Sequence, residues 1–344
     1  MRTFLRSIAG PAETGLDDTA GPPRPGRRDA SGPADAAHSA FAVALALALG
    51  LGAIQPTLAA GQAAGRQGGG PQLESRERAV YVSAVDEKGE PVEGLGPEAF
   101  VVREDGVRRE VLRVSRAVEP IDIALLVDNS AAVQDEITFI REALSAFVAK
   151  MAPGNQIALI TLADRPTIFT DYTDEPKRLA DGIGRLFPMS QSGMTLLDAI
   201  AETSAGLERR EGPRAVIVGV FTDGVEFTNR YAKDVVAAAR EAGVALHFVT
   251  IGQFFHSEEH PVRERSFLLD DGPRATGGQR ISLLSPHGLD QSLQRLAREL
   301  SSQYKVIYGR PPSFIPPERI EVTSAQPAVT MRGAPARGET GASR

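Results

Sequence analysis

The stretch Ile121-Asp-Ile-Ala-Leu-Leu-Val127, followed by Asp128-Asn-Ser130-Ala-Ala132, constrains this chain more than any other. Its first half is apolar almost without interruption, the pattern of a strand buried on both faces in a parallel sheet. The run ends on a carboxylate, with a hydroxyl two residues later. A helical stripe then follows from Val133 to Lys150, with Val133, Ile137, Ile140, Leu144, Phe147 and Val148 on one side. Open α/β sheets bind ligands at the carboxyl ends of their strands. Asp128 and Ser130 are therefore expected to face such a crevice.

The pattern repeats downstream. Strands are expected over Gln156–Ala163, Arg214–Phe221 and Val244–Ile251, with a short antiparallel edge at Thr167–Phe169 and a weaker strand at Gly278–Leu283. Helices are expected over about 175–186, 196–209, 231–242 and 289–303. This alternation predicts a doubly wound, mostly parallel α/β sheet over residues 119–303. The strand from Arg214 ends on Thr222-Asp223-Gly224, and a polar loop from Pro188 to Met194 delivers Thr195 to a helix start. Three loops thus carry Asp128 and Ser130, Thr195, and Asp223 to one end of the sheet. Two carboxylates and two hydroxyls make an all-oxygen donor set, the kind that suits Mg²⁺.

Short β-rich runs flank this region: Ala79–Val85, Phe100–Val102 and Val107–Val114 before it, Tyr304–Tyr308, Arg319–Thr323 and Ala328–Met331 after it. Neither group is large enough to close a core alone. One small β-sandwich built from both flanks, 78–118 and 304–333, is expected, with the large domain inserted in it. Residues 334–344 read as a polar tail. Residues 1–77 read as a leader, within which Ala40–Ile54 is an apolar run shorter than the about 20 residues of a membrane span. It suits the core of a secretory signal peptide over 40–60, followed by the Gly-rich linker Gln62–Gln72. The expected location is secreted, periplasmic or cell-envelope, with membrane contact only through this segment if it stays uncleaved.

Several chemistries are disfavoured. The chain has no cysteine, so it has no disulfide, thiolate metal site or cysteine nucleophile. A net charge of -6 without a polybasic block argues against nucleic acid. Ser130 lacks the Gly-x-Ser-x-Gly elbow, and the phosphate-binding Gly-rich loops are missing. His256 and His260 sit in a polar stretch with Pro261 and make a poor zinc pair. Asp270-Asp271-Gly272 reads as a turn, Asp198 as a structural hydrogen-bonder and Glu226 as a solvated surface charge.

The strand ending in Asp128-x-Ser130, the loop Ser192-Gly-Met-Thr195-Leu-Leu-Asp198 and the strand ending Phe221-Thr-Asp223-Gly resemble a von Willebrand factor type A domain. The flanking segments resemble bacterial secreted proteins described as VWFA-related. The resemblance implies a metal-ion-dependent adhesion site, where two serines, a threonine and two aspartates hold Mg²⁺ and a partner protein's carboxylate completes the shell. Carried over, this implies Asp128, Ser130, Thr195 and Asp223 as metal residues. Ala132 stands where the second serine belongs, so Mg²⁺ is expected to bind weakly. The implied function is a non-enzymatic, adhesion-type protein-binding module with no small-molecule substrate. A metal-free scaffold of the envelope and a hydrolase are the alternatives.

Overall fold

Four strands come first among the described residues: β1 (Arg76–Val85), β2 (Phe100–Glu104), β3 (Val107–Arg109) and β4 (Val111–Arg116). The α/β layer follows with β5 (Ile121–Val127), α1 (Ile137–Met151), β6 (Gln156–Thr161), β7 (Thr167–Thr173), α2 (Pro176–Gly184) and α3 (Leu196–Arg210). It continues through β8 (Arg214–Thr222), α4 (Ala232–Glu241), β9 (Val244–Ile251), α5 (His260–Thr276), β10 (Arg280–Leu283) and α6 (Leu289–Ser301). The chain then returns to the flank as β11 (Tyr304–Arg310), β12 (Ile320–Ser324) and β13 (Thr330–Pro335). The structure is a computed structural model that describes residues 76–254, 256–311 and 317–336. The Ala40–Ile54 run, the Gly-rich linker and the tail from residue 337 lie outside the described residues.

The central sheet has the order β10-β9-β8-β5-β6-β7, parallel throughout except for the antiparallel edge strand β7. Every residue of β5, β8 and β9 is buried, which explains why these strands read as continuous apolar runs rather than alternating ones. Side chains on one face, including Ile123, Leu125, Val218 and Leu159, pack with α1, α2 and α6. Those on the other, including Ala124, Leu126, Ile217 and Leu246, pack with α3, α4 and α5. The sheet is doubly wound. From β5 the chain proceeds to β6 on one side and later to β8 on the other. The gap between the carboxyl ends of β5 and β8 is therefore the topological switch point.

The two flanks pair with each other. β1 lies between β11 and β13, and β4 adds to the free edge of β11. In a second sheet β2 lies between β12 and β3. The two sheets share a core of Val80, Val82, Phe100, Val102, Tyr304, Val306, Tyr308 and Val322. Both chain crossings into the α/β layer are tied at one point, the buried guanidinium of Arg214. It donates to the carbonyls of Glu119 (2.9 Å) and Leu300 (2.8 Å) and to Gln303 Oε1 (2.6 Å). Burial pulls Arg214 down to about 10 against the pull of Tyr81 and Glu119.

Local differences from the sequence expectation have physical causes. The expected strand Val107–Val114 is two strands in different sheets, the chain changing sheets at Glu110. Asp270-Asp271-Gly272 is no turn. It lies inside α5, where buried Leu268, Leu269 and Gly272 hold the helix on β9 despite Pro273. Tertiary packing overrides the local breakers there. α1 begins at Ile137 rather than Val133, because Ser130 Oγ accepts the Ala132 N–H and a single 3-10 turn intervenes. Residues 334–335, expected in the tail, belong to β13.

Candidate functional site

Three of the four residues singled out by the sequence, Asp128, Ser130 and Asp223, follow directly on β5 and β8 at the switch point, and Thr195 comes in on a separate loop. Asp128 follows β5 and is fully buried. Its Oδ1 accepts the Ser130 N–H at 2.8 Å, an Asx-type turn that folds the backbone back over the strand end. Its Oδ2 accepts the Thr222 N–H at 3.2 Å and the Thr222 hydroxyl, so this carboxylate staples β5 to β8. Ser130 is buried beside it. Asp223 follows β8, remains exposed, and accepts the Gln253 N–H at 3.1 Å.

Thr195 is carried in by the loop 188–195, which is laced across the sheet end. Met194 bridges Ala163 after β6 on one side and Glu226 after β8 on the other. The Thr195 hydroxyl donates to the Leu162 carbonyl at 2.9 Å. Asn129 completes the lacing, its Oδ1 accepting from Leu162 N (3.2 Å) and Ala163 N (2.9 Å) and its carbonyl from Met189 N (2.8 Å). The sequence reading passed over Asn129.

Gly224 has no room for a side chain. A Cβ there would lie 2.9 Å from Ala132 Cβ and 3.1 Å from Ser130 Oγ. The Gly224 peptide thus packs against the position where a second hydroxyl was expected, and Ala132 contributes no oxygen.

Glu226 corrects the sequence reading: it is 2% exposed, not a solvated charge. Its bridge to Met194 folds it under the loop, where its Oε2 accepts the Leu196 N–H at 3.2 Å and closes the start of α3. Burial pushes it up to about 8. The Leu196 and Leu197 N–H groups and Arg265 oppose that rise, and Asp198 adds to it. Asp198 has the structural role expected of it, accepting from Thr228 Oγ1 (3.2 Å) and Arg230 Nε (2.6 Å). Arg265, on α5, is a second residue that the sequence did not single out. It is 4% exposed and donates to the Gly224 carbonyl at 2.5 Å.

Around these polar groups stands an exposed apolar rim. Val225 is 64% and Phe227 55% exposed, and Phe187, Met189 and Leu284 join them at the same end of the sheet. Scattered exposed apolar side chains are ordinary; a rim around one polar centre is not. Phe227 lies over Gly193, where a Cβ would meet its ring at 2.3 Å. A groove alongside is lined by Asn129, Thr161, Phe169, Phe187 and Met189.

Residues 122–261 match the family model described as von Willebrand factor type A domain. Among solved structures, the vWF domain of a type V pili tip protein from Porphyromonas gingivalis is 12% identical, with a TM-score of 0.42, over 54% of this chain and 96% of its own. A von Willebrand factor type A protein from Catenulispora acidiphila is 12% identical, with a TM-score of 0.46, over 78% of this chain and 67% of its own. The conserved hypothetical protein BatB from Bacteroides thetaiotaomicron is 16% identical, with a TM-score of 0.42, over 53% of this chain and all (100%) of its own. No curated protein matches the chain.

Proposed function

We propose that this chain, which carries a von Willebrand factor type A domain over residues 122–261, is a non-enzymatic module that binds a partner protein at the carboxyl end of its central sheet. The observation that carries the reading is the apolar rim of Val225, Phe227, Phe187 and Met189 around a rigid, hydrogen-bonded polar centre. Protein interfaces combine such apolar anchors with polar groups that fix register. Residues 119–303 act as the binding domain and the sandwich of the two flanks as its mount. Ser130 is not the nucleophile in this reading: its hydroxyl oxygen accepts the Ala132 N–H, and the Asp128 carboxylate beside it is occupied by the Ser130 N–H, the Thr222 N–H and the Thr222 hydroxyl. The Ala40–Ile54 run supports a place outside the cytoplasmic membrane; no helix among the described residues is long and apolar enough to cross one.

The Mg²⁺ that the family implies was expected on Asp128, Ser130, Thr195 and Asp223, with a partner carboxylate completing its shell. The residues present do not fit a resident ion. Ser130 and Thr195 offer hydroxyl oxygens, but Ala132 has none, and the Gly224 peptide packs against that position. Asp128 already receives three protein donors. Losing an outer partner alone costs about 10–100-fold in metal affinity, and a missing direct ligand costs no less. Partner binding is therefore assigned to the rim and the loop surface rather than to a bridging cation.

Phe227→Asp is the direct test. Phe227 is more than half exposed, so the variant is expected to keep the wild-type melting temperature within about 2 °C. Its retention of envelope proteins is expected to drop about tenfold or more, the cost of losing a central aromatic anchor. A folded variant with undiminished retention would move the interface elsewhere.

A further inference from the structure

We infer that the Arg265 guanidinium is the resident counter-charge of the switch-point site, holding its loops in shape in place of a divalent cation. The inference goes beyond the protein-binding reading and does not depend on which partner docks.

Arg265 is nearly inaccessible, and a buried cation must be compensated by charge or hydrogen bonds. Its hydrogen bond goes to the carbonyl of Gly224, the residue between Asp223 and the bend toward Glu226. That peptide in turn packs on Ala132 and Ser130. One guanidinium thus fixes the strand end against the place where a metal-binding hydroxyl was expected. Behind it, the guanidinium lies over the Phe254 ring at 5.0 Å, and Arg280 flanks the same ring at 5.5 Å. Arg280 is itself tied to Asp270 at 2.6 Å. Asp270 is thus committed to Arg280, while Arg265 faces the site.

Burial is the main influence on Arg265 and holds it below its ordinary range. The charges that oppose this are, in order, Glu226, Asp223 and Asp128, while Arg280 adds to it. Glu226, which burial holds at about 8, is itself mostly protonated at neutral pH and lends little of that opposition, while the other two acids follow β5 and β8 at the switch point. A fixed positive charge among them does part of the work that a cation would do, and it repels any cation that enters. The missing oxygen at Ala132 and the added charge at Arg265 point the same way. Arg265 lies beyond the segment 122–261 that matches the family model.

The experiment measures thermal unfolding and calorimetric Mg²⁺ titration on the full chain, in EDTA and in about 10 mM MgCl₂, a concentration at which weak oxygen-ligand sites fill. The wild type is expected to melt at the same temperature in both, within about 1 °C. Arg265→Met keeps the stem over Phe254 and removes the charge. It is expected to melt lower in EDTA and to regain several degrees in Mg²⁺. Arg265→Lys keeps the charge and is expected to stay Mg²⁺-insensitive, which separates a counter-ion from a mere packing element. Ala132→Ser is expected to raise Mg²⁺ affinity on the order of tenfold more in the Arg265→Met background than in the wild type. Saturable Mg²⁺ binding by the wild type below about 1 mM, with a matching rise in melting temperature, would overturn the inference whatever the variants do. So would an Arg265→Met protein that neither binds Mg²⁺ nor is stabilised by it.

Discussion

Arg214→Met is expected to cost the fold about 3–5 kcal/mol, on the order of 10 °C in melting temperature. The reason is where the side chain sits. Arg214 opens β8 and donates to the Glu119 and Leu300 carbonyls and to Gln303 Oε1, all close to where the chain passes between the flank and the α/β layer. Met fills similar space but leaves buried acceptors without a donor, at about 1–3 kcal/mol each. Removing a buried cation returns part of that. The same crossing is held by Ala117 N to Gln303 O at 2.8 Å and by Gln303 Nε2 to Ser83 Oγ at 3.0 Å. Urea unfolding followed by far-ultraviolet circular dichroism measures the loss. A variant within about 1 kcal/mol of wild type would mean that the crossings hold themselves together without the guanidinium.

Arg332→Met is expected to cost a similar amount, about 3–5 kcal/mol, because it strips the counter-charge from a buried carboxylate. Glu299 on α6 is 2% exposed and stands 2.8 Å from Arg332 Nη2 on β13, with Gln279 Nε2 donating to its other oxygen at 2.6 Å. His247 on β9 is buried nearby. Burial, its largest influence, pulls it from 6.5 to about 4, with Glu299 raising it and Arg332 lowering it. The folded imidazole is neutral at pH values where the unfolded one takes a proton. Its contribution is therefore intact above pH 6.5 and is lost as the pH falls from there toward about 4. His247→Leu is expected to flatten that acid limb. Urea midpoints at pH 7 and pH 5 for the two proteins check this. An unchanged limb would place the acid sensitivity elsewhere.

Much of this architecture was legible because burial on both faces leaves a plain signature. β5, β8 and β9 read as unbroken apolar runs, and their order with the intervening helices predicts a doubly wound sheet. Once the strand ends were located, the places of Asp128, Ser130 and Asp223 in the fold followed, since each comes directly after β5 or β8. What stayed hidden depends on contacts that no local pattern encodes. Glu226 sits in a stretch of ordinary loop composition, and only its bridge to Met194 turns it inward. Arg265 lies on a helix masked by Pro261, Gly272 and Pro273, and its meaning comes from the Gly224 carbonyl 41 residues before it. Val225 and Phe227 look in sequence like any apolar pair near a strand end. Their exposure becomes visible only when the loop 188–195 is laid across the sheet beside them.

The claim that partners dock at the carboxyl end of the sheet is tested most directly by site-specific photo-crosslinking in intact cells. A benzoyl-phenylalanine placed at Phe227, on the rim, is compared with one placed at Val118, which is 84% exposed just before β5, at the opposite end of the sheet. Both positions are accessible, so accessibility alone favours neither. The expected result is a discrete protein adduct from position 227 and none from position 118. Adducts from position 118 with none from position 227 would contradict the account and move the binding surface to the other end of the molecule.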